Sequence, residues 1–198
     1  MRTPEPIVLT GRHVTLEPLA ERHVTDLHEA AQDPEIWRWL PVPQPRSVED
    51  VLQILATHRG LPWAVVVDGH AAGSTSYLDV DLSVAGLEIG WTWYRRDLWA
   101  TAVNPECKLL LLGHAFDTLG AQRVTMKTDA LNLRSRAAIG KIGCGYDGTL
   151  RHHRRRPDGT VRDTAYFSLL AGEWPAAREA LLKRVEPLTR LEPINELE

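Results

Sequence analysis

Cysteine is scarce in this chain: two, Cys107 and Cys144, among 198 residues. Two thiols cannot build a disulfide framework, and they read as reduced thiols of a cytoplasmic protein. Long apolar runs are missing as well. WAVVV at 63–67 and LLLL at 109–112 fall far short of the roughly 18 residues that suggest a membrane helix, so no membrane partner is expected. The opening MRTPEP lacks the basic-then-apolar pattern of a secretory signal. There is no excess of positive charge: 23 Lys and Arg stand against 26 Asp and Glu, a net −3. That balance argues against a domain that coats nucleic acid. No phosphate-binding Gly-x-x-x-x-Gly-Lys-Ser/Thr run occurs. Without HxH, HxxxH or CxxC spacing no metal centre is expected. Neither cysteine has a clear His partner, so Cys–His nucleophilic catalysis is unsupported.

What is present is ordinary globular material, 43% apolar and 25% charged. It reads as one domain over residues 1–185 with an acidic tail over 186–198. Residues 6–19 form two short β runs hinged at Gly11. A helix follows from Glu21 to Ala31. The four prolines of 33–47 make a long loop with exposed-looking Trp37 and Trp39. Ser47 and Asp50 form a capping box opening a helix to about His58. The Asp68-Gly69 turn joins two strands. In GLEIGWTWY (86–94), Leu87, Ile89, Trp91 and Trp93 share one face and Glu88, Gly90 and Thr92 the other. Asn104 and Pro105 open a helix that Gly120 stops. AQRVTMKTD is a strand, Asn132 caps the next helix, TLRHH and RDTAYFSLL are strands, and residues 173–185 form a terminal helix. The fold class is mixed α/β (α+β), largely antiparallel at first, with a βαβ crossover in the middle.

The segment most informative about chemistry is 88–106, EIGWTWYRRDLWATAVNPE. A strand runs into small residues and then a helix N-terminus, a generic anion site because the first amides of a helix have no internal partner. The same stretch is also read simply as a tight strand–helix connection. Asn132 and Ser135 read as an N-cap and a polar first-turn residue. Glu88 is the candidate general base or, equally, an ion-pair partner. Asp79 and Asp81 are rival carboxylates, more readily solvated turn residues. Tyr146 is a rival acid, more readily a packed aromatic with a wet hydroxyl.

Three stretches in order, WATAVNPECKLLLLGHAF, LGAQRVTMKTDALNLRSRAAIGKIG and RDTAYFSLLAGEWP, resemble the GNAT superfamily of acyl-CoA-dependent N-acyltransferases. The branch most resembled includes the ribosomal-protein N-terminal acetyltransferases. Trp99, Ala100, Ala102 and Asn104 stand where that family has its Gln/Arg-x-x-Gly-x-Gly/Ala loop, without its glycines. The resemblance implies a splayed mixed sheet, mostly antiparallel and flanked by helices. It implies acetyl-CoA, or another short acyl-CoA, as co-substrate. The diphosphate would rest on amides of Trp99, Ala100, Thr101, Ala102, Val103 and Asn104. The pantetheine would pair with backbone at Trp93 and Tyr94 and with Asn132, and Ser135 would lie near the sulfur.

GCGYDG matches a dinucleotide-binding pattern but follows a helix and precedes a strand, the reverse of the required order. RHHRRR (151–156) reads as a solvated hairpin tip or an anchor for acidic groups rather than a nucleic-acid site. Adjacent His152 and His153 point apart on a strand. The expected activity is acyl transfer to a primary amine, a peptide N-terminus or a small amine. The alternative is a non-catalytic acyl-CoA sensor of the same fold. Seven tryptophans would suit a homodimer interface. An α-amine with a pKa of about 7.7–8.0 is easier to neutralise than a lysine amine at about 10.4, a difference of roughly 3.4 kcal/mol.

Overall fold

The computed structural model describes residues 1–186; the expected tail lies almost wholly outside these. The strands are β1 (Leu9–Thr10), β2 (Thr15–Pro18), β3 (Leu61–Val67), β4 (His70–Asp81), β5 (Gly86–Tyr94), β6 (Arg123–Asp129), β7 (Gly145–Arg155) and β8 (Val161–Leu170). The helices are α1 (Val24–Ala30), α2 (Val48–Thr57), α3 (Val103–Gly113), α4 (Leu133–Gly140) and α5 (Trp174–Val185). The strands form one sheet in the order β1-β2-β3-β4-β5-β6-β8-β7. Every neighbouring pair is antiparallel except β5 and β6. That pair is parallel because α3 carries the chain back between them.

Local chemistry explains the elements. Asp68 (φ 51°) and Gly69 (φ 82°) both take the left-handed conformation that a two-residue β3–β4 turn requires. At α2, Ser47 Oγ accepts from the Asp50 amide and Asp50 Oδ2 accepts from the Ser47 amide, both at 3.2 Å. Gly120 (φ 77°) ends the helical stretch after α3, whose last turn widens into a π-helix over His114–Leu119. Strand β7 starts earlier than TLRHH suggests and absorbs the GYDG stretch.

Helices α3, α4 and α5 cover one face of the sheet. Leu111, Leu112, Phe116, Ile139 and Leu181 pack there against Leu87, Ile89, Val124, Met126 and Leu169. Each fully buried leucine contributes about 1.5–3 kcal/mol. The other face is covered by α1 and α2 through Val24, Leu27 and Val51 on Ala64 and Ala71. Glu106, 2% exposed, fastens the β1–β2 turn to α3. Its carboxylate accepts from the amides of Arg12 (2.7 Å), His13 (2.6 Å) and Val14 (2.9 Å). Gly11 hinges that turn because a Cβ there would stand 2.6 Å from the Glu106 carboxyl carbon.

Two expectations change. Helix α3 begins at Val103 with Ala102 before it, so Asn104 is not its cap. Its carboxamide instead accepts from the Tyr94 hydroxyl at 3.0 Å. The alternation along β5 also breaks. Ser74 opposes Trp93 and Ser76 opposes Gly90, so a single β4 residue, Thr75, faces two on β5. This is a β-bulge at Trp91, whose φ is 50°. It flips the phase, so Trp91 and Trp93 share the α1–α2 face with Glu88, and Thr92 and Tyr94 turn toward α3.

Candidate active site

β5 and β6 pair only at Gly86–Arg123, Leu87–Val124 and Glu88–Thr125. Beyond Glu88 the two strands part. The wedge opens toward their carboxyl ends, where small ligands usually enter such sheets. Two helix starts, α3 after β5 and α4 after β6, stand at its mouth.

The loop before α3 keeps free donors. The amides of Ala100, Thr101, Ala102 and Asn104 have no hydrogen-bond partner among the described residues. Those of Trp99 and Val103 are engaged, by Arg96 O at 3.2 Å and Thr101 Oγ1 at 3.3 Å. Ala100 takes φ 63°, a left-handed conformation that glycine adopts with less strain. The Trp99 indole donates to Tyr94 O at 3.1 Å, so that carbonyl is already used. The ring carries the guanidinium of Arg96 at 4.0 Å and that of Arg134 at 3.3 Å from its centroid. Arg134 belongs to α4, so this stack links the two helix starts across the wedge.

At α4, Asn132 is buried and its Oδ1 accepts from the Ser135 amide at 3.1 Å. Asn132 is thus an N-cap, and its carboxamide NH2 makes no bond among the described residues. The Ser135 side chain is half-buried.

Glu88 is 3% exposed. Burial pushes its pKa up; Lys127 opposes this, and Asp79 nearby adds to it. Its Oε2 lies 2.5 Å from Lys127 Nζ, which also reaches Asp79 Oδ2 at 3.3 Å. Burial works against the Lys127 ammonium, but Glu88, Tyr166 and Asp79 together hold its pKa above the usual lysine range. Glu88 Oε1 stands over Gly90, where a Cβ would come within 2.6 Å of it. No hydrogen bond to Oε1 is present among the described residues, so one oxygen is anchored and the other is left to accept a proton.

On the same face Trp91 packs edge-on against His58, 4.9 Å between centroids, and Trp93 against Trp37 at 5.1 Å. With Leu40, Ile54 and Leu55 these rings line a narrow, mostly apolar cleft. Trp37, expected to be exposed, is 6% exposed because its indole donates to Ala31 O at 2.8 Å; Trp39 stays half-exposed beside Arg38. Of the other expectations, Asp79 joins the Glu88 site through Lys127, whereas Asp81 accepts from the amide and hydroxyl of Ser83 in its exposed turn. Tyr146 packs at a tilt against Phe167, its hydroxyl hydrogen-bonded with that of Thr149. Arg156 is no solvated tip residue: it clamps Asp129 at the end of β6 with contacts of 2.7 and 3.2 Å. His152 sits at a bulge with φ 51°. Cys107 and Cys144 are buried thiols pushed up to about 12, which rules out thiolate nucleophiles at neutral pH.

Sequence reasoning passed over Lys127, Gly90, the Trp91 bulge and Lys108. Lys127 falls in register with Thr125 opposite the core residues Val124 and Met126, which placed it on the Glu88 face.

Among the described residues no helix is long and apolar enough to cross a membrane. The family model for the acetyltransferase (GNAT) domain matches residues 13–145. A protein of T. thermophilus assigned as an acetyltransferase is 35% identical, with TM-score 0.85, over 93% of this chain and 100% of its own. A GCN5-related N-acetyltransferase from Brucella melitensis is 28% identical, with TM-score 0.88, over 93% of this chain and 87% of its own. Mycobacterium smegmatis RimJ in complex with CoA-disulfide shares the fold at 20% identity and TM-score 0.80, over 92% of this chain and 97% of its own. No curated protein matches the chain in sequence. With a wedge between two strands, free amides at its mouth and a buried carboxylate at its apex, the chain belongs to the GNAT acetyltransferases.

Proposed function

We propose that this protein transfers an acetyl or other short acyl group from acyl-CoA to a primary amine, by direct attack in a ternary complex. The single observation that carries this reading is the parting of β5 and β6 after Glu88, with the amides of Ala100, Thr101, Ala102 and Asn104 beside it unpaired among the described residues. The diphosphate rests on those amides, and the pantetheine enters the wedge past Asn132 toward Trp93. The acceptor approaches from the α1–α2 face, where Glu88 and the tryptophan-lined cleft lie.

The amine lone pair attacks the thioester carbonyl carbon. As the C–N bond forms and the C–S bond breaks, the sulfur takes the electron pair. Glu88 Oε1 takes the amine proton, and its raised pKa makes it a stronger base than an ordinary carboxylate. Ser135, half-buried and open to water, passes a proton to the sulfur and regains one from solvent. The lower pKa of α-amines favours a peptide or protein N-terminus as acceptor. The activity belongs to the cytoplasm, where acyl-CoA and such termini meet.

The test is release of CoA thiol from acetyl-CoA across a panel of α-amino peptides, lysine peptides and small amines. Turnover on at least one amine, fastest on α-amines, is expected. CoA binding without turnover on any amine would leave an acyl-CoA sensor instead.

A further inference from the structure

Helix α3 carries two buried charges, Glu106, which three amides of the β1–β2 turn satisfy, and Lys108. Lys108 lies in KLLLL, is 5% exposed, and reaches across to β5. Its Nζ donates to Thr92 Oγ1 at 3.0 Å, and Thr92 Oγ1 lies 2.8 Å from Thr75 Oγ1. No carboxylate stands within ion-pair distance of it among the described residues. The titratable groups facing it are Cys107 on α3, Cys144 ahead of β7, and Tyr94 beyond Thr92. Burial pushes both thiols and the phenol up, so all three are neutral at pH 7. Burying an unbalanced ammonium is costly. Its surroundings lower its pKa to about 8, which still leaves it mostly charged at neutral pH.

The place of this cation is informative. Thr92 belongs to the part of β5 that has left β6, and the bulge at Trp91 turns it toward α3. Glu88 faces the opposite side of the sheet. The wedge therefore has a carboxylate on one face and an unbalanced ammonium on the other. The amine must lose a proton on the first face. A negative charge must form on sulfur as the thioester breaks.

We propose that Lys108 is the electrostatic counterpart of that sulfur: its ammonium faces the thioester end of bound acyl-CoA and stabilises the departing thiolate. The charge is held in place by Thr92 and Thr75 and is balanced only when the leaving group is negative. This rests on the acyl-CoA reading above. Lys108 keeps its proton; the C–S electron pair moves to sulfur, and the proton sulfur later gains comes from solvent water by way of Ser135.

The test compares the full chain with Lys108→Met, or with Lys108→Gln should the first variant not fold. CoA is titrated while bound, by its ultraviolet thiolate absorbance. In the wild type the bound thiol is expected to ionise about one unit below its value in the variant, and at a pH where the thiolate is populated CoA is expected to bind about tenfold more tightly. Binding of desulfo-CoA, which keeps the phosphates and lacks the sulfur, is expected to be the same in both. The variant is expected to melt no lower than the wild type. An unchanged thiol pKa, or equal weakening of CoA and desulfo-CoA, overturns the proposal. Failure of the wild type to bind CoA at all would instead overturn the acyl-CoA reading.

Discussion

Glu88 Oε2 lies 2.5 Å from Lys127 Nζ at the point where β5 and β6 cease to pair. The contact bridges two strands that share no further hydrogen bonds, so the ion pair stands at the apex of the wedge. It holds one carboxylate oxygen and leaves the other over Gly90.

Glu88→Gln is expected to lower kcat about 10²-fold or more, with CoA affinity changed less than about twofold. The wild-type rate should rise with pH through a midpoint above the ordinary carboxylate range, because burial raises the Glu88 pKa. A pH–rate series on both proteins checks this, and the Gln variant should lack that limb. The stability effect has the opposite sign. A carboxyl whose pKa is raised by folding keeps its proton longer in the native state, so its contribution is lost as pH rises through the folded value. Thermal melts across that window should fall in the wild type and stay flatter in the variant.

Gly90→Ala places a Cβ 2.6 Å from Glu88 Oε1 and 2.8 Å from Leu78 Cδ1. The carboxylate is the group that must move. A loss of about 1–3 kcal/mol in stability is expected from the crowding, with kcat reduced more than KM for acyl-CoA. Steady-state kinetics beside a denaturant titration separate the two effects.

The loop before α3 makes a pair of opposite predictions. Ala100→Gly relieves a left-handed alanine and should stabilise the protein by up to about 1 kcal/mol without weakening CoA binding. Ala102→Glu sets a carboxylate against the diphosphate and should weaken CoA binding at least about tenfold, or roughly 1.4 kcal/mol. Isothermal titration with CoA reads both.

Glu106→Ala strands three amide donors beneath the β1–β2 turn. Hydrogen bonds to a charged acceptor are worth about 1.5–3 kcal/mol each, so a loss of at least about 3 kcal/mol is expected. The denaturation midpoint measures it.

Lys108 supplies a stability prediction of its own. Its pKa is about 8 in the folded protein, below the usual lysine value. Between about pH 8 and 10.5 the native state sheds this proton and the unfolded chain keeps it, so the wild type gains stability as pH rises. Any excess melting temperature of Lys108→Met should therefore be largest below pH 8 and shrink above it.

The sequence alone determined the elements whose cause is local. Asp68-Gly69 requires a tight turn, Ser47 and Asp50 cap a helix within four residues, and the apolar spacing of 109–119 specifies a buried helical face. It also pointed to residues 99–104 and 88, because small residues before a helix and a carboxylate on a strand carry their chemistry in their order; Asn132 and Ser135 entered as site residues only through the family resemblance. Only tertiary structure decided which faces met. A single bulge residue, Trp91, inverts the phase of β5 with no marker in the alternating pattern, and so puts both tryptophans beside Glu88 and turns Thr92 toward Lys108. The pairing of Glu88 with Lys127, 39 positions along the chain, and the cation left unbalanced in α3 depend on long-range packing. No periodicity of 2 or 3.6 residues encodes contacts between residues brought together by a crossover.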